Sequence, residues 1–388
     1  MNENKSIFKT TIPVLVTFFV MGFVDIVGTA VAYVKHDFNL TQSVAQLLPM
    51  MVFIWFALLS VPVGILQDRK GKRVTLTLGI VVTFVAMLLP LLAYSYGVIL
   101  FSFLLIGVGN TIIQVSANPL LHDVSSKKNF SSNMSLSQLV KAISSMLGPI
   151  ITAELAKLTG DWRNIFLAYA ITSIIAAIWL YSVNIEETRS ENKAATFRSS
   201  LGLLKDRFIL LMVIGIFAIV GADVGMNTGI PNYLGSRFGL DVTTATQGIS
   251  IYFAALIVGR FLGTVLLRFM RSQRFYLLTV VLNLVGLFGM IFAPTPLFAQ
   301  VMIFVAGVGS ANIFPVIFSF AVEYWPERSN EISGLMIMAV AGGAVMPFLM
   351  GVTSDIFGAT ASLFILVACI AYFLFISRVV LNIKYEEE

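Results

Sequence analysis

The sequence specifies an all-α membrane protein, twelve transmembrane helices arranged as two pseudo-symmetric six-helix bundles. Three observations carry this. Of 388 residues, 58% are apolar and only 12% charged, whereas soluble domains average roughly 25% charged residues. The mean hydropathy of +0.91 agrees. The apolar residues are gathered into runs of about 18 to 27, and a helix needs about 20 to cross the hydrocarbon of a bilayer. Finally, the second half of the chain repeats the first.

The runs follow one another closely. The first, 11–34, contains Asp25; it is too long for a removable signal and no small-residue cleavage site follows it, so it is the first span. Next come 44–66 and 74–95, then 97–121 with Asn110, Gln114 and Asn118. Runs 133–157, with Gln138 and Lys141, and 164–184 complete a first bundle over residues 1–184. A polar linker, 185–207, separates it from a second bundle over 208–388. There the runs are 208–233, with Asp223 and Asn227, 245–267, with Arg260, 275–293, 296–322, with Asn312, 331–356 and 359–382.

An even number of spans puts both termini on one side. Of the 25 Lys and Arg residues, nineteen lie on the terminus side, four lie opposite, and Lys141 and Arg260 lie within spans. Short-loop bias of this kind places the termini in the cytoplasm of an inner-membrane protein. It also accounts for the net charge of +5 without any nucleic-acid partner. The single cysteine, Cys369, excludes a disulfide framework. His36 and His122 have no second ligand at metal spacing. No cofactor or metal is expected, and nothing calls for more than a monomer in membrane lipid.

The repeat is more than shared hydropathy. At an offset of 200, Phe38, Leu40 and Ala45 fall on Phe238, Leu240 and Ala245, Phe53 on Phe253, and Gly107-Val108-Gly109 on Gly307-Val308-Gly309. At 198, Pro149 meets Pro347. Parallel six-helix repeats of this kind place a substrate site between the halves near the midplane.

The loop after the second run contains Gly64, Asp68, Arg69, Gly71 and Arg73. Gly71 permits a tight turn, and Asp68 is suited to latch a cytoplasmic gate through a basic partner or a helix N-terminus. This loop resembles the signature of the major facilitator superfamily. Gln114-Val-Ser-Ala-Asn118-Pro119, Val220-Gly-Ala-Asp223, Gly259-Arg260-Phe261, Phe314-Pro315 and Gly342-Gly343-Ala-Val-Met-Pro347, followed by Ser354-Asp355, are similar to elements of its fucose–proton symporter family. The resemblance implies proton-driven uptake of a hexose. Two departures bear on coupling: Gln114 stands where the fucose transporter has a glutamate, and Asp25 lies a helical turn before the acid of the family's first-helix motif.

An ionisable group at mid-membrane costs on the order of 3 kcal/mol, so each such residue is a candidate for function. Asp25 and Asp223 each lie about 15 residues into a span, roughly 22 Å of rise. Asn110, Gln114 and Asn118 share a helix face, as do Gln138, Lys141 and Ser145, and Asp223 and Asn227. Such stripes line a wet cavity or stitch helices together. Asp25 either stands alone and titrates, or pairs with Lys141 and serves as a gating partner. The second reading is favoured, which leaves Asp223 as the proton carrier. Arg260, Pro315 and Pro347 are read as structural, and Trp55 as core packing or a sugar-stacking platform.

These residues favour a secondary active transporter taking up a small sugar by alternating access. Proton-driven efflux of apolar compounds ranks second, because Gly148-Pro149 lacks the flanking glycines typical of such exporters. A non-transporting sugar sensor lacks a convincing partner-binding domain. An enzyme lacks a nucleophile with its base.

Overall fold

The computed structural model describes residues 2–125, 130–187, 201–267, 269–325 and 328–382. Among them are twelve helices long and apolar enough to span a membrane: α1 (Thr10–Asp37), α2 (Gln42–Gln67), α3 (Lys72–Leu92), α4 (Tyr96–Asp123), α5 (Leu136–Thr159), α6 (Asn164–Ser182), α7 (Arg207–Phe238), α8 (Val242–Leu266), α9 (Ser272–Ile291), α10 (Pro296–Tyr324), α11 (Glu331–Phe357) and α12 (Ala359–Leu381). Each coincides with one of the twelve apolar runs. This follows from the solvent: in hydrocarbon the backbone has no partner but itself, so an apolar run of this length closes its own hydrogen bonds as a helix.

The outward faces show the same cause. On α3, Val74, Leu78, Val81 and Val85 are exposed, and on α6, Leu167, Ile171, Ile175 and Ile178. Both sets recur at three- and four-residue spacing, a single helix face of branched aliphatics. A soluble protein would bury these stripes; here they are the surface that lipid covers.

The chain forms two compact units. Unit 1 comprises Met1–Val27 and Met51–Ala194; unit 2 comprises Gly28–Met50 and Ala195–Glu388. The C-terminal part of α1 and the start of α2 belong with unit 2 because their contacts lie there. The Asp355 carboxylate accepts the backbone N–H groups of Gln42 and Ser43, each at 2.7 Å. Lys35 Nζ donates to Asn232 Oδ1 at 2.6 Å, and Asn232 Nδ2 donates to Ser354 Oγ at 2.8 Å.

Inside each unit the Gly-Val-Gly triplet packs alike. A Cβ on Gly107 would fall 2.3 Å from the Val52 carbonyl of α2, and one on Gly109 would fall 2.4 Å from Thr83 Oγ1 of α3. In unit 2, a Cβ on Gly307 would fall 2.7 Å from Ala255 Cβ of α8, and one on Gly309 would fall 2.3 Å from the Asn283 backbone nitrogen of α9. Both triplets let three helices approach at backbone distance, the small-residue packing that membrane helices rely on. The sequence identity at these positions is therefore an identity of packing.

Four helices are interrupted, among them α2, where Gln46 separates Gln42–Ala45 from the segment that starts at Leu47. α1 passes through a 3₁₀ turn at Gly22–Asp25. α10 breaks after Ser310 and resumes at Ile313, and α11 breaks after Ala339 and resumes at Gly342. Pro315 is the third residue of its resumed helix, where a missing N–H is harmless. Pro347 is buried inside the second segment of α11, where its ring leaves the carbonyl four residues earlier without a helical partner.

Candidate functional site

The unit 1 residues gather at the α1 interruption. Asn110, buried on α4, donates from Nδ2 to the Met21 carbonyl at 2.9 Å, taking up a backbone acceptor where α1 tightens. Its Oδ1 accepts Gln114 Nε2 at 3.0 Å. Three residues on from Met21's neighbour Gly22, Asp25 Oδ2 accepts the Ser145 hydroxyl of α5 at 2.5 Å. That hydroxyl also lies 3.0 Å from the Lys141 carbonyl, so one proton serves two acceptors. Asp25, Gln114, Gln138 and Lys141 are half-buried. The α4 and α5 stripes thus converge on the bend of α1, with Asp25 held by a serine on the same face as Lys141.

Among the buried atoms of unit 1 without a hydrogen-bond partner among the described residues are two on residues that the sequence singles out. Asn118 Oδ1 and Trp55 Nε1 are both buried and accept or donate no hydrogen bond there. Since Val52 packs on Gly107 and α2 and α4 run in the same direction, Trp55 lies about level with Asn110. A hydrogen-bond donor and an acceptor buried in this way call for a polar guest or water.

In unit 2, Asp223 is the focus. Its Oδ1 accepts Tyr252 OH from α8 and Ser310 Oγ from α10, each at 2.5 Å. Tyr252 is fully buried at 1% exposure, while Asp223 is half-buried. Tyr252 and Ser310 also line a small pocket with Asn283, Met226 and Leu366. Arg260, half-buried, lies about two turns farther along α8 than Tyr252. Asn227 is buried one turn beyond Asp223, and its side chain lies against the backbone of Gly28. Asn312 is placed differently: its Nδ2 donates to the Gly259 carbonyl at 2.7 Å, joining α10 to α8 where α10 breaks.

At the end of unit 2 away from the linker, a cleft of about 490 Å³ is lined by Lys35, Asn39, Gln42, Thr228, Asn232 and Ser236 among others. Sequence reading did not select Lys35 or Asn232, because each sits at a span end where polar residues are ordinary.

The signature loop is held within unit 1. Gly71 adopts φ +91°, a conformation suited to glycine, and caps α3. The Glu187 carboxylate, just beyond α6, accepts the backbone N–H groups of Lys72 at 2.5 Å and Arg73 at 3.0 Å. Arg73 donates to the Val183 carbonyl, and Lys72 Nζ pairs with the buried Asp123 at 2.6 Å. Arg69 is exposed, and an added Cβ on Gly64 would meet open space. The side chain of Asp68 and residues 188–200 of the linker lie outside the described residues. Among the described residues no group of three or more His, Cys, Asp or Glu side chains is placed to hold a metal ion.

The profile of the Major Facilitator Superfamily matches residues 14–340 and again 227–387. The chain belongs to the Major Facilitator Superfamily. Membership places it among multi-pass membrane transporters rather than enzymes. The chain is 24% identical over 378 residues to the glucose/galactose transporter of Brucella abortus, covering 92% of this chain and 90% of that protein. It is 21% identical over 398 residues to a probable nitrate transporter of Staphylococcus epidermidis, covering 99% and 98%. The crystal structure of the Escherichia coli fucose:proton symporter superposes with a TM-score of 0.69 at 16% identity, covering 96% of this chain and 99% of that one. At that identity the likeness is one of fold.

Proposed function

We propose that this protein takes up a small sugar by secondary active transport, with Asp223 carrying the coupling proton. The observation that carries the reading is the Asp223 cluster: a carboxylate far inside an apolar span, held by hydroxyls from two other helices. Ionisable groups at such depth mark ion pathways in membrane transporters. The likeness to the Brucella glucose/galactose transporter suggests the substrate class, and that to the Escherichia coli fucose:proton symporter suggests the ion.

In unit 1 the amides of Asn110, Gln114 and Asn118, with Gln138 and Lys141, present donors and acceptors suited to sugar hydroxyls, and Trp55 presents both a ring face and an N–H. Asp25, held by Ser145 on the face that carries Lys141, serves as a gating partner. Unit 2 adds Asn227 and Asn312 to the polar set. The loop of Gly64, Asp68, Arg69, Gly71 and Arg73 forms the cytoplasmic gate. The basic-residue bias supports an inner-membrane protein with both termini in the cytoplasm, working as a monomer in lipid on a sugar and a proton.

Asp223→Asn keeps the size and hydrogen-bonding capacity of the side chain but cannot bind a proton. In reconstituted vesicles it is expected to abolish proton-driven accumulation while sugar exchange without a gradient persists. Accumulation with a wild-type pH dependence in this variant overturns the reading. A second reading, a small anionic substrate, is favoured by Lys141 within α5 and by the nitrate-transporter likeness. It predicts that nitrate or a sugar acid competes with uptake where neutral hexoses do not.

A further inference from the structure

We propose that Tyr252 is a positioning residue for Asp223: with Ser310, it sets the pH at which that carboxylate takes up its proton. The inference rests on the reading of Asp223 as proton carrier and names the side chains that tune it.

The argument begins with the internal repeat. Position 110 of the first half corresponds to 310 of the second, and 52 corresponds to 252. In unit 1 these registers hold Asn110, which serves the Met21 carbonyl, and Val52, which has no polar atom to offer. In unit 2 the same two registers hold Ser310 and Tyr252, and both reach the same oxygen of Asp223. The backbone arrangement is shared, and the triplet Gly307-Val308-Gly309 brings α10 against α8 just as its counterpart brings α4 against α2. What differs is that unit 2 has exchanged an apolar side chain for a phenol. A tyrosine buried to 1% exposure needs a partner for its hydroxyl, and here that partner is the one carboxylate of α7.

A hydroxyl that donates to a carboxylate is bonded more strongly when the acceptor is ionised. Protonation of Asp223 therefore has to weaken both bonds or release a donor, and removing either donor lowers that cost. The groups arranged about Asp223 from neighbouring helices can be named. α8 contributes Tyr252 and carries Arg260 about two turns farther on, α10 contributes Ser310, and α11 packs this stretch of α7 with Gly342 and Met346. Tyr372 of α12 gives its hydroxyl to the Leu211 carbonyl, roughly three turns away along α7.

The experiment is the pH profile of proton-driven sugar uptake in proteoliposomes for wild type, Tyr252→Phe and Ser310→Ala. Each substitution removes one donor and keeps most of the side-chain volume. The expected result is a profile displaced to higher pH by about one unit for Tyr252→Phe, by a smaller amount in the same direction for Ser310→Ala, and further still in the double variant. Should Tyr252→Phe fail to reconstitute, Ser310→Ala and the wild type decide the matter alone. Profiles that superimpose on the wild type, or move towards acid, overturn the inference. A purely structural role would lower the maximal rate and leave the profile in place. If Asp223→Asn abolishes coupling and these profiles do not move, the inference fails while the proton-carrier reading stands; if Asp223→Asn still couples, that reading itself has failed.

Discussion

Asn110 shows how much one side chain does at this depth. Its amide donates to the Met21 carbonyl and accepts from the half-buried Gln114, so a substitution removes both hydrogen bonds. Asn110→Leu is expected to cost about 1–3 kcal/mol for the lost bonds, read as a lowered unfolding temperature in detergent. Ser116→Ala on the same helix removes a buried hydroxyl that no described residue bonds, and is expected to leave that temperature nearly unchanged or raise it. At this scale the sequence was only half legible. Asp25, Asp223, Asn110 and Gln114 stand out because polar groups in apolar runs are rare. Tyr252 and Ser310 do not, since a tyrosine or a serine is unremarkable in any span. Their partner lies on another helix, and stripes drawn along single helices cannot show a cluster built across three. The signal that was present is the offset of 200, which aligns 310 with 110.

At the scale of the element, α3 begins where Gly71 turns and Glu187 accepts the first two N–H groups. A carboxylate at a helix N-terminus satisfies orphan donors and meets the positive end of the dipole. Glu187→Ala is expected to remove about 1 kcal/mol of local stability and to speed trypsin cleavage after Lys70, Lys72 and Arg73 relative to wild type. Unchanged cleavage would show that the cap is dispensable. The sequence displayed the turn but hid the cap, because Glu187 is distant along the chain from the loop it holds. The connection between α5 and α6 responds to pH. There the Arg163 guanidinium beside Asp161 holds its carboxyl below the usual carboxylate range. A depressed carboxyl contributes stability that is complete above its unfolded value near about 3.9 and fades as pH falls through the lower folded value. Thermal unfolding followed from about pH 5 down to 3 should therefore fall more steeply for wild type than for Asp161→Asn.

For the whole molecule, composition and run length determined nearly all of the architecture, because a bilayer leaves the backbone few alternatives. The breaks in α1, α10 and α11 were not legible: the runs stay apolar through them, and no local propensity marks where a side chain such as Asn110 takes over a backbone partner. Nor was it legible that Gly28–Met50 would pack with the second half of the chain, since Asp355 and Lys35 make those contacts far from their own sequence neighbours. The central claim is that this chain moves a sugar across the membrane, and the most direct measurement is counterflow in proteoliposomes. Vesicles preloaded with unlabelled glucose, galactose or fucose should transiently concentrate the labelled sugar, and an inward proton gradient should raise net uptake. Counterflow of nitrate or of a lipophilic cation, with every sugar excluded, would contradict the account.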